Sequence, residues 1–283
     1  MTRNRILLLL TFAGRGSVGG RDYRAESPLL GTITFDKSAI RLFEDGAERP
    51  LAAVTAGDAP VSLALLIDTS GSAKSSIAAT TPLTTSIIQA LPNGSEVMAI
   101  LFADGASVGL PFTSAPSVPL SFLNQVQGHG GTAFYDALIA TEAYIGAHAR
   151  FARRSIVVLS DCEDDASRHN LQDAVRSLQE PGTPTVYFVV QWDSRAMASE
   201  KSRTETKIKS LVSANGGIMI LPNKKQDATL LGGHIASLIR GQYSVVFTAS
   251  DPATDGKSHK LEVRVERPSL RISAMPLYFA PAR

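Results

Sequence analysis

The hydrophobic pattern changes texture twice along the chain. An apolar run at 6–13 follows Arg3 and Arg5, and periodicity is then lost until about residue 30. Over 30–56, Ile40, Leu42 and Leu51 stand apolar among polar neighbours around the turn Glu44-Asp45-Gly46, which predicts short strands. The near-continuous apolar run 61–67 then has the character of a strand buried on both faces. From there the pattern alternates. Helical spacing predicts helices over 75–91, with a break or kink at Pro82, and over 119–126, 133–149, 168–179, 201–214 and 227–240. Strand-like runs lie between them at 96–103, 108–113, 156–160, 186–191 and 218–221. After Gly241 the texture is of strands alone. Leu261, Val263 and Val265 alternate with Glu262, Arg264 and Glu266, and the runs 243–249, 270–275 and 277–279 complete the set.

Buried apolar strands alternating with helices predict an α/β fold with a doubly wound, mostly parallel sheet over 61–240. The flanks 28–60 and 241–283 each hold too few strands to bury a sheet alone. The expected architecture therefore has both flanks pairing into one small β-sandwich, with the α/β domain inserted between its strands.

Composition narrows the function classes. With 283 residues, 44% hydrophobic and 19% charged, the chain has the make-up of a folded protein. Lys plus Arg (28) nearly balances Asp plus Glu (26), and no basic run is interleaved with aromatics, which argues against nucleic-acid binding. The lone Cys162 excludes an internal disulfide framework and any CxxC zinc site. No apolar run approaches the roughly 20 residues of a membrane-spanning helix. The N-terminus has the outline of a short secretory leader ending near Thr11-Phe12-Ala13, which would make 1–27 a removed or unstructured segment outside the cytoplasm. A buried first strand, or a mis-chosen start codon upstream of the domain, is the alternative reading of the same residues. Gly14-Arg15-Gly16-Ser17-Val18-Gly19 is a literal GxGxxG, but no amphipathic helix follows to receive a pyrophosphate, so the match is accidental.

The candidate chemistry lies at Asp68-Thr69-Ser70-Gly71-Ser72, between the first buried strand and the first helix. That places it at the carboxyl edge of a parallel sheet, where open α/β proteins keep their sites. Asp68, Ser70 and Ser72 offer a carboxylate and two hydroxyls at alternate positions. Gly130-Gly131-Thr132 precedes the strongest helix and adds a hydroxyl, and Ser160-Asp161 ends a later strand and adds a second carboxylate. Oxygen donors of this kind suit a hard cation such as Mg²⁺, Ca²⁺ or Mn²⁺. Asp68 could instead be a helix N-cap, although a cap does not call for two further polar loops. Asp164 and Asp165 read as a solvated turn with Ser167 capping the next helix. Asp104 and Asp136 are weaker candidates, Asp136 lying one turn into a helix where a carboxylate favours the dipole, and His129 and Trp192 read as exposed and packing residues.

These three loops in this order resemble the von Willebrand factor A (VWA) domain and its metal-ion-dependent adhesion site, over roughly 61–240. The resemblance implies hydroxyl ligands from Ser70, Ser72 and Thr132, with Asp68 and Asp161 holding the metal directly or through water. The flanking motifs Leu42-Phe43-Glu44-Asp45-Gly46, Gly241-Gln242-Tyr243 and Asp255-Gly256-Lys257-Ser258-His259-Lys260-Leu261 are similar to a bacterial subgroup of secreted VWA-related proteins. Two departures stand out. Cys162 occupies the place where the family usually has Gly, and the upstream β segment is short, as if a first strand were missing.

The implied function is a non-enzymatic, secreted or periplasmic binding module whose cation receives an Asp or Glu carboxylate of a protein partner. A metal-dependent hydrolase or phosphatase on the same fold, or a structural subunit with a stabilising metal, are the alternatives. No GxSxG surrounds Ser70, no GxxxxGK[ST] is present, and a HAD-type DxD would need Asp at the position of Ser70.

Overall fold

The computed structural model describes residues 5–13, 37–55, 57–75, 77–115, 128–192, 196–222, 227–249, 255–266 and 271–280. The flank before the α/β core contributes β1 (Arg5–Ala13), β2 (Ile40–Glu44), β3 (Ala47–Arg49) and β4 (Leu51–Thr55). The core contains β5 (Ser62–Asp68), α1 (Ile77–Gln89), β6 (Glu96–Phe102), β7 (Ala106–Ser114), α2 (Phe134–His148), β8 (Arg154–Ser160), α3 (Leu171–Ser177), β9 (Thr185–Val190), α4 (Ala198–Asn215), β10 (Ile218–Ile220) and α5 (Ala228–Arg240). The second flank adds β11 (Tyr243–Thr248), β12 (Ser258–Val265), β13 (Arg271–Ser273) and β14 (Leu277–Phe279).

The core sheet has six strands in the order β10-β9-β8-β5-β6-β7. Its neighbours run parallel except the edge pair β6–β7. Alternation along β5 sorts its side chains to two helix layers. Leu63, Leu65 and Ile67 pack with Leu83 and Ile87 of α1 and Ile235 and Ile239 of α5. Ala64 and Leu66 face Leu138 and Ile145 of α2, Ala174 of α3 and Ile208 and Leu211 of α4. A strand buried on both faces has no solvent side to carry polar residues at every second position, which is why 63–67 is continuously apolar, while Ser62 at its start donates to Glu96. The strand order reverses at β5, so the crevice between β5 and β8 at their carboxyl ends is the topological switch point.

The flanks interleave. One four-stranded sheet has the order β13-β1-β11-β4 and the other β14-β12-β2-β3, so each is built from both sides of the core. Leu42 pairs with Val263, and Val54 with Val245. Ile6, Leu8, Leu10, Leu42, Val245, Phe247, Leu261 and Tyr278 fill the space between the sheets. The predicted Asp-Gly turn joins β2 to β3, with Asp45 and Gly46 both at positive φ (51° and 84°), the backbone that a two-residue hairpin demands.

The apolar run at 6–13 forms β1, seated between β11 and β13, in accord with the buried-first-strand reading of those residues. A run of this length satisfies both readings, but Ile6, Leu8 and Leu10 alternate into the sandwich core as a strand requires. It is also the first strand that the upstream segment lacked. Pro82 does not break α1, which continues through it. The helix expected over 119–126 and the GxGxxG at 14–19 lie outside the described residues.

Candidate metal centre

The three loops meet at the switch point. β5 delivers Asp68, which is buried, and its Oδ1 accepts the N–H of Ser70 at 2.8 Å. Its Oδ2 accepts the hydroxyl of Ser160, the last residue of β8. Ser160 is oriented in turn by the N–H of Cys162, which reaches its Oγ at 2.8 Å. The hydroxyls of Ser70 and Ser72 lie 3.0 Å apart. Asp161 is buried, and its Oδ1 accepts the N–H of Glu163 at 3.1 Å.

Thr132 reaches the same place through the backbone. Gly71 N–H donates to the carbonyl of Gly130 at 3.2 Å, and His129 N–H donates to that of Thr69 at 2.9 Å, stitching the first loop to the second. The Gly130-Gly131 turn is then clamped by carboxylates. Gly131 N–H donates to Asp104 at 2.7 Å and Thr132 N–H to Asp165 at 2.6 Å. A Cβ on Gly130 would lie 2.1 Å from Asp104 Oδ2, and Gly130 has φ +77°, so only glycine fits under this clamp.

Several residues outside the motif therefore do work that spacing alone concealed. Asp165 is not part of a merely solvated turn, and Asp164 accepts the N–H of Tyr135 and the hydroxyl of Ser167. Ser167 does not cap the helix after it. Its Oγ receives the N–H of Asp136 in the first turn of α2, while Asn170 caps α3. Asp136 returns the link by accepting the N–H groups of Arg168 and His169 and the His169 ring. The third loop is thereby tied to the N-terminus of α2, whose unpaired N–H groups need acceptors. The weak sequence signal was three Asp residues and a Ser flanking a polar turn. His129 is exposed, and Trp192 is partly buried against the core, as read.

Cys162 has φ 59°, the left-handed region that glycine enters freely and other residues enter at a cost of about 1–2 kcal/mol. Its side chain is buried against Phe134 and the α2 face, and burial pushes the thiol well above its ordinary pKa. It packs as a small apolar group.

Electrostatics favour a cation here. Burial raises the pKa of Asp68, against the hydrogen bonds from Ser160 and Ser70. Asp161 is pushed up to about 6 by burial and by the nearby charge of Asp68, with the Glu163 N–H and Ser72 pulling the other way. Among the described residues, no Lys, Arg or His pairs with either carboxylate. Nor, among the described residues, do three or more His, Cys, Asp or Glu side chains converge, and the oxygen groups gathered here are two carboxylates and neighbouring hydroxyls. Such a set fits a hard, oxygen-seeking ion, which would reverse both shifts.

Residues 63–163 match the family model of the von Willebrand factor type A domain. Over those residues the chain is similar to the VWA domain. Among solved structures, a von Willebrand factor type A protein from Catenulispora acidiphila is similar over 100% of this chain and 75% of its own, at 12% identity and a TM-score of 0.53. Proximal thread matrix protein 1 from the mussel byssus is similar over 70% of this chain and 51% of its own, at 13% identity and TM-score 0.51. BatB from Bacteroides thetaiotaomicron covers 63% of this chain and 98% of its own, at 17% identity and TM-score 0.47. No curated protein matches the sequence significantly. At these identities the likeness is one of fold. The first two structures place the six-stranded sheet and its helices in the VWA architecture, with the candidate centre at the carboxyl edge of that sheet.

Proposed function

We propose that the VWA domain is a protein-interaction module in which Asp68, Ser70, Ser72, Thr132 and Asp161 hold a divalent cation, Mg²⁺, Ca²⁺ or Mn²⁺. The cation supplies a Lewis-acidic point at the domain surface, and an Asp or Glu side chain of a partner protein completes its coordination. One observation carries the reading: two buried carboxylates stand side by side among hydroxyls with no described basic side chain to balance them. Neutral hydroxyl donors leave the ion electropositive, so an added carboxylate exchanges its water for a strong directional bond. Ser160 and Asp165 act on this site as positioning residues, through Asp68 and Thr132. No described helix is long and apolar enough to cross a membrane, and a location outside the cytoplasm belongs to the same proposal.

The test is thermal denaturation with Mg²⁺, Ca²⁺ or EDTA, followed by capture of partners from the source cells. Cation should raise the melting temperature by mass action and be required for capture, and Asp68→Ala should abolish both. Calorimetry showing no divalent binding to the intact chain would overturn the proposal. Metal-dependent turnover of ester or phosphoester substrates, lost in the same variant, would establish the hydrolase instead.

A further inference from the structure

The core and the β-sandwich are joined by two chain crossings, one entering β5 and one leaving α5, and both converge on a single buried side chain. Arg153, 5% exposed, immediately precedes β8. Its Nη1 donates to the carbonyl of Ala59 in the entering segment at 2.7 Å. Its Nη2 donates to the carbonyls of Ile239 and, at 3.2 Å, Arg240, the last residues of α5. A guanidinium is charged at every relevant pH, and the C-terminus of a helix is where a cation is best placed. The carbonyls it serves are helix-end and linker groups with no partner in a regular ladder.

The crossings are also in direct contact. A Cβ on Gly57 would lie 1.7 Å from the carbonyl oxygen of Arg240, so the two backbones touch at a spacing only glycine permits. Asp58, at φ 65°, accepts the Nε of Arg240 at 2.7 Å. Just beyond, Gln242 is fully buried and accepts the hydroxyl of Ser155 in β8 at 3.3 Å. The sandwich meets the same edge of the core at two further points. Gly216, closing α4, leaves only 2.3 Å between an added Cβ and the backbone of Ala274, and Phe279 N–H in β14 donates to the carbonyl of Gln179 at 2.9 Å.

From this geometry we propose that Arg153 is a junction lock. It makes the VWA core and the β-sandwich open as one cooperative unit and fixes the carboxyl-edge loops relative to the sandwich. β8 begins beside the lock and ends at Ser160, so one stiff strand runs from the junction to the candidate centre. The inference does not depend on whether a cation binds there. It also implies that a fragment cut at 61–240 is incomplete, because it loses Ala59 and Gln242.

The experiment is hydrogen exchange by mass spectrometry on the full chain, paired with scanning calorimetry. The native chain should show one thermal transition, and the most protected amides of β11 and β8 should exchange through a common opening. Arg153→Met removes the side-chain donor shared by three carbonyls, and Gly57→Ala forces the crossings apart while keeping the guanidinium. Each should accelerate exchange in β11 at least tenfold more than in β5. Arg240→Ala removes only an exposed pair and should leave the ratio unchanged. Two separate transitions in the native chain, or Gly57→Ala without differential exchange, would overturn the proposal even where Arg153→Met fails to fold.

Discussion

Asp165 and Thr132 hold each other reciprocally. The carboxylate of Asp165 accepts the N–H of Thr132 at 2.6 Å, and the carbonyl of Thr132 accepts the N–H of Asp165 at 3.0 Å. The second and third loops are thus fixed by a pair of bonds that uses neither a proposed ligand side chain nor a helix. Loss of such a supporting contact typically weakens metal affinity by about 10–100-fold. Asp165→Ala should produce a loss of this order in Mg²⁺ titrations while leaving the metal-free melting temperature within a few degrees. Asp165→Asn, which keeps an acceptor oxygen, should lose less.

The left-handed backbone at Cys162 predicts an order of stabilities. Cys162→Gly relieves a cost of about 1–2 kcal/mol but removes a buried side chain, so it should fall within about 1 kcal/mol of the native chain. Cys162→Ala loses the sulfur and keeps the strain, and should be the less stable of the two by about 1 kcal/mol. Urea denaturation of the three proteins checks the order.

Glu142 in α2 is buried against α3. Ser177 donates to its Oε2, and Oε1 has no protein partner. Burial pushes its carboxyl up to about 8 from an ordinary 4.5. The folded protein therefore holds a proton that the unfolded chain releases, and stability falls as pH rises from 4.5 to about 8, by at most about 1.4 kcal/mol per pH unit. Glu142→Gln retains an acceptor for Ser177 and removes the titration. Its stability advantage should open above pH 4.5 and level off near 8, as read from denaturant midpoints across that range.

His259 gives a second pH experiment, on the sandwich. It is partly buried, stacks on Tyr278 with centroids 5.2 Å apart, and places Nδ1 2.8 Å from Asp45 and Nε2 3.4 Å from Asp255. Burial lowers its pKa, but the two carboxylates outweigh that and raise it above 6.5. The imidazolium stabilises the fold fully below 6.5, and the contribution disappears as pH climbs through the raised value. His259→Gln should be less stable than the native chain at pH 5.5, with the gap narrowing by pH 8.5. A gap that stays constant with pH would assign the role of His259 to packing alone.

What was legible in the sequence follows from how local its signals are. The buried β5, the Asp68-Thr69-Ser70-Gly71-Ser72 loop and the flanking strand textures are each contiguous, so composition and period expose them. The roles of Asp104 and Asp165 are not legible in the sequence because their partners are the N–H groups of Gly131 and Thr132, which any residue carries. The leader-like run at 6–13 was ambiguous because a short apolar stretch satisfies a membrane-targeting signal and a sandwich strand alike. Only its pairing with 243–248 decides which part it plays in this fold. Pro82 misled for the converse reason. A helix interior disfavours proline, but α1 packs on the sheet and on α5, and tertiary burial outweighs the one lost hydrogen bond.

The interleaved sandwich also sets an order of events at the ribosome. Leu8 pairs with Val245, and Leu42 with Val263, so the strands made first wait for partners made almost last. At 5–20 residues per second, the wait is on the order of ten to fifty seconds. During it, β1 lacks both partners and β2 has only its β3 hairpin, so each presents an unpaired edge and apolar side chains, while the intervening α/β segment already has its own strands to pair. Nascent chains stalled before residue 243 should therefore engage holding chaperones through 6–10 and 40–43, and that engagement should end once β11 and β12 have emerged.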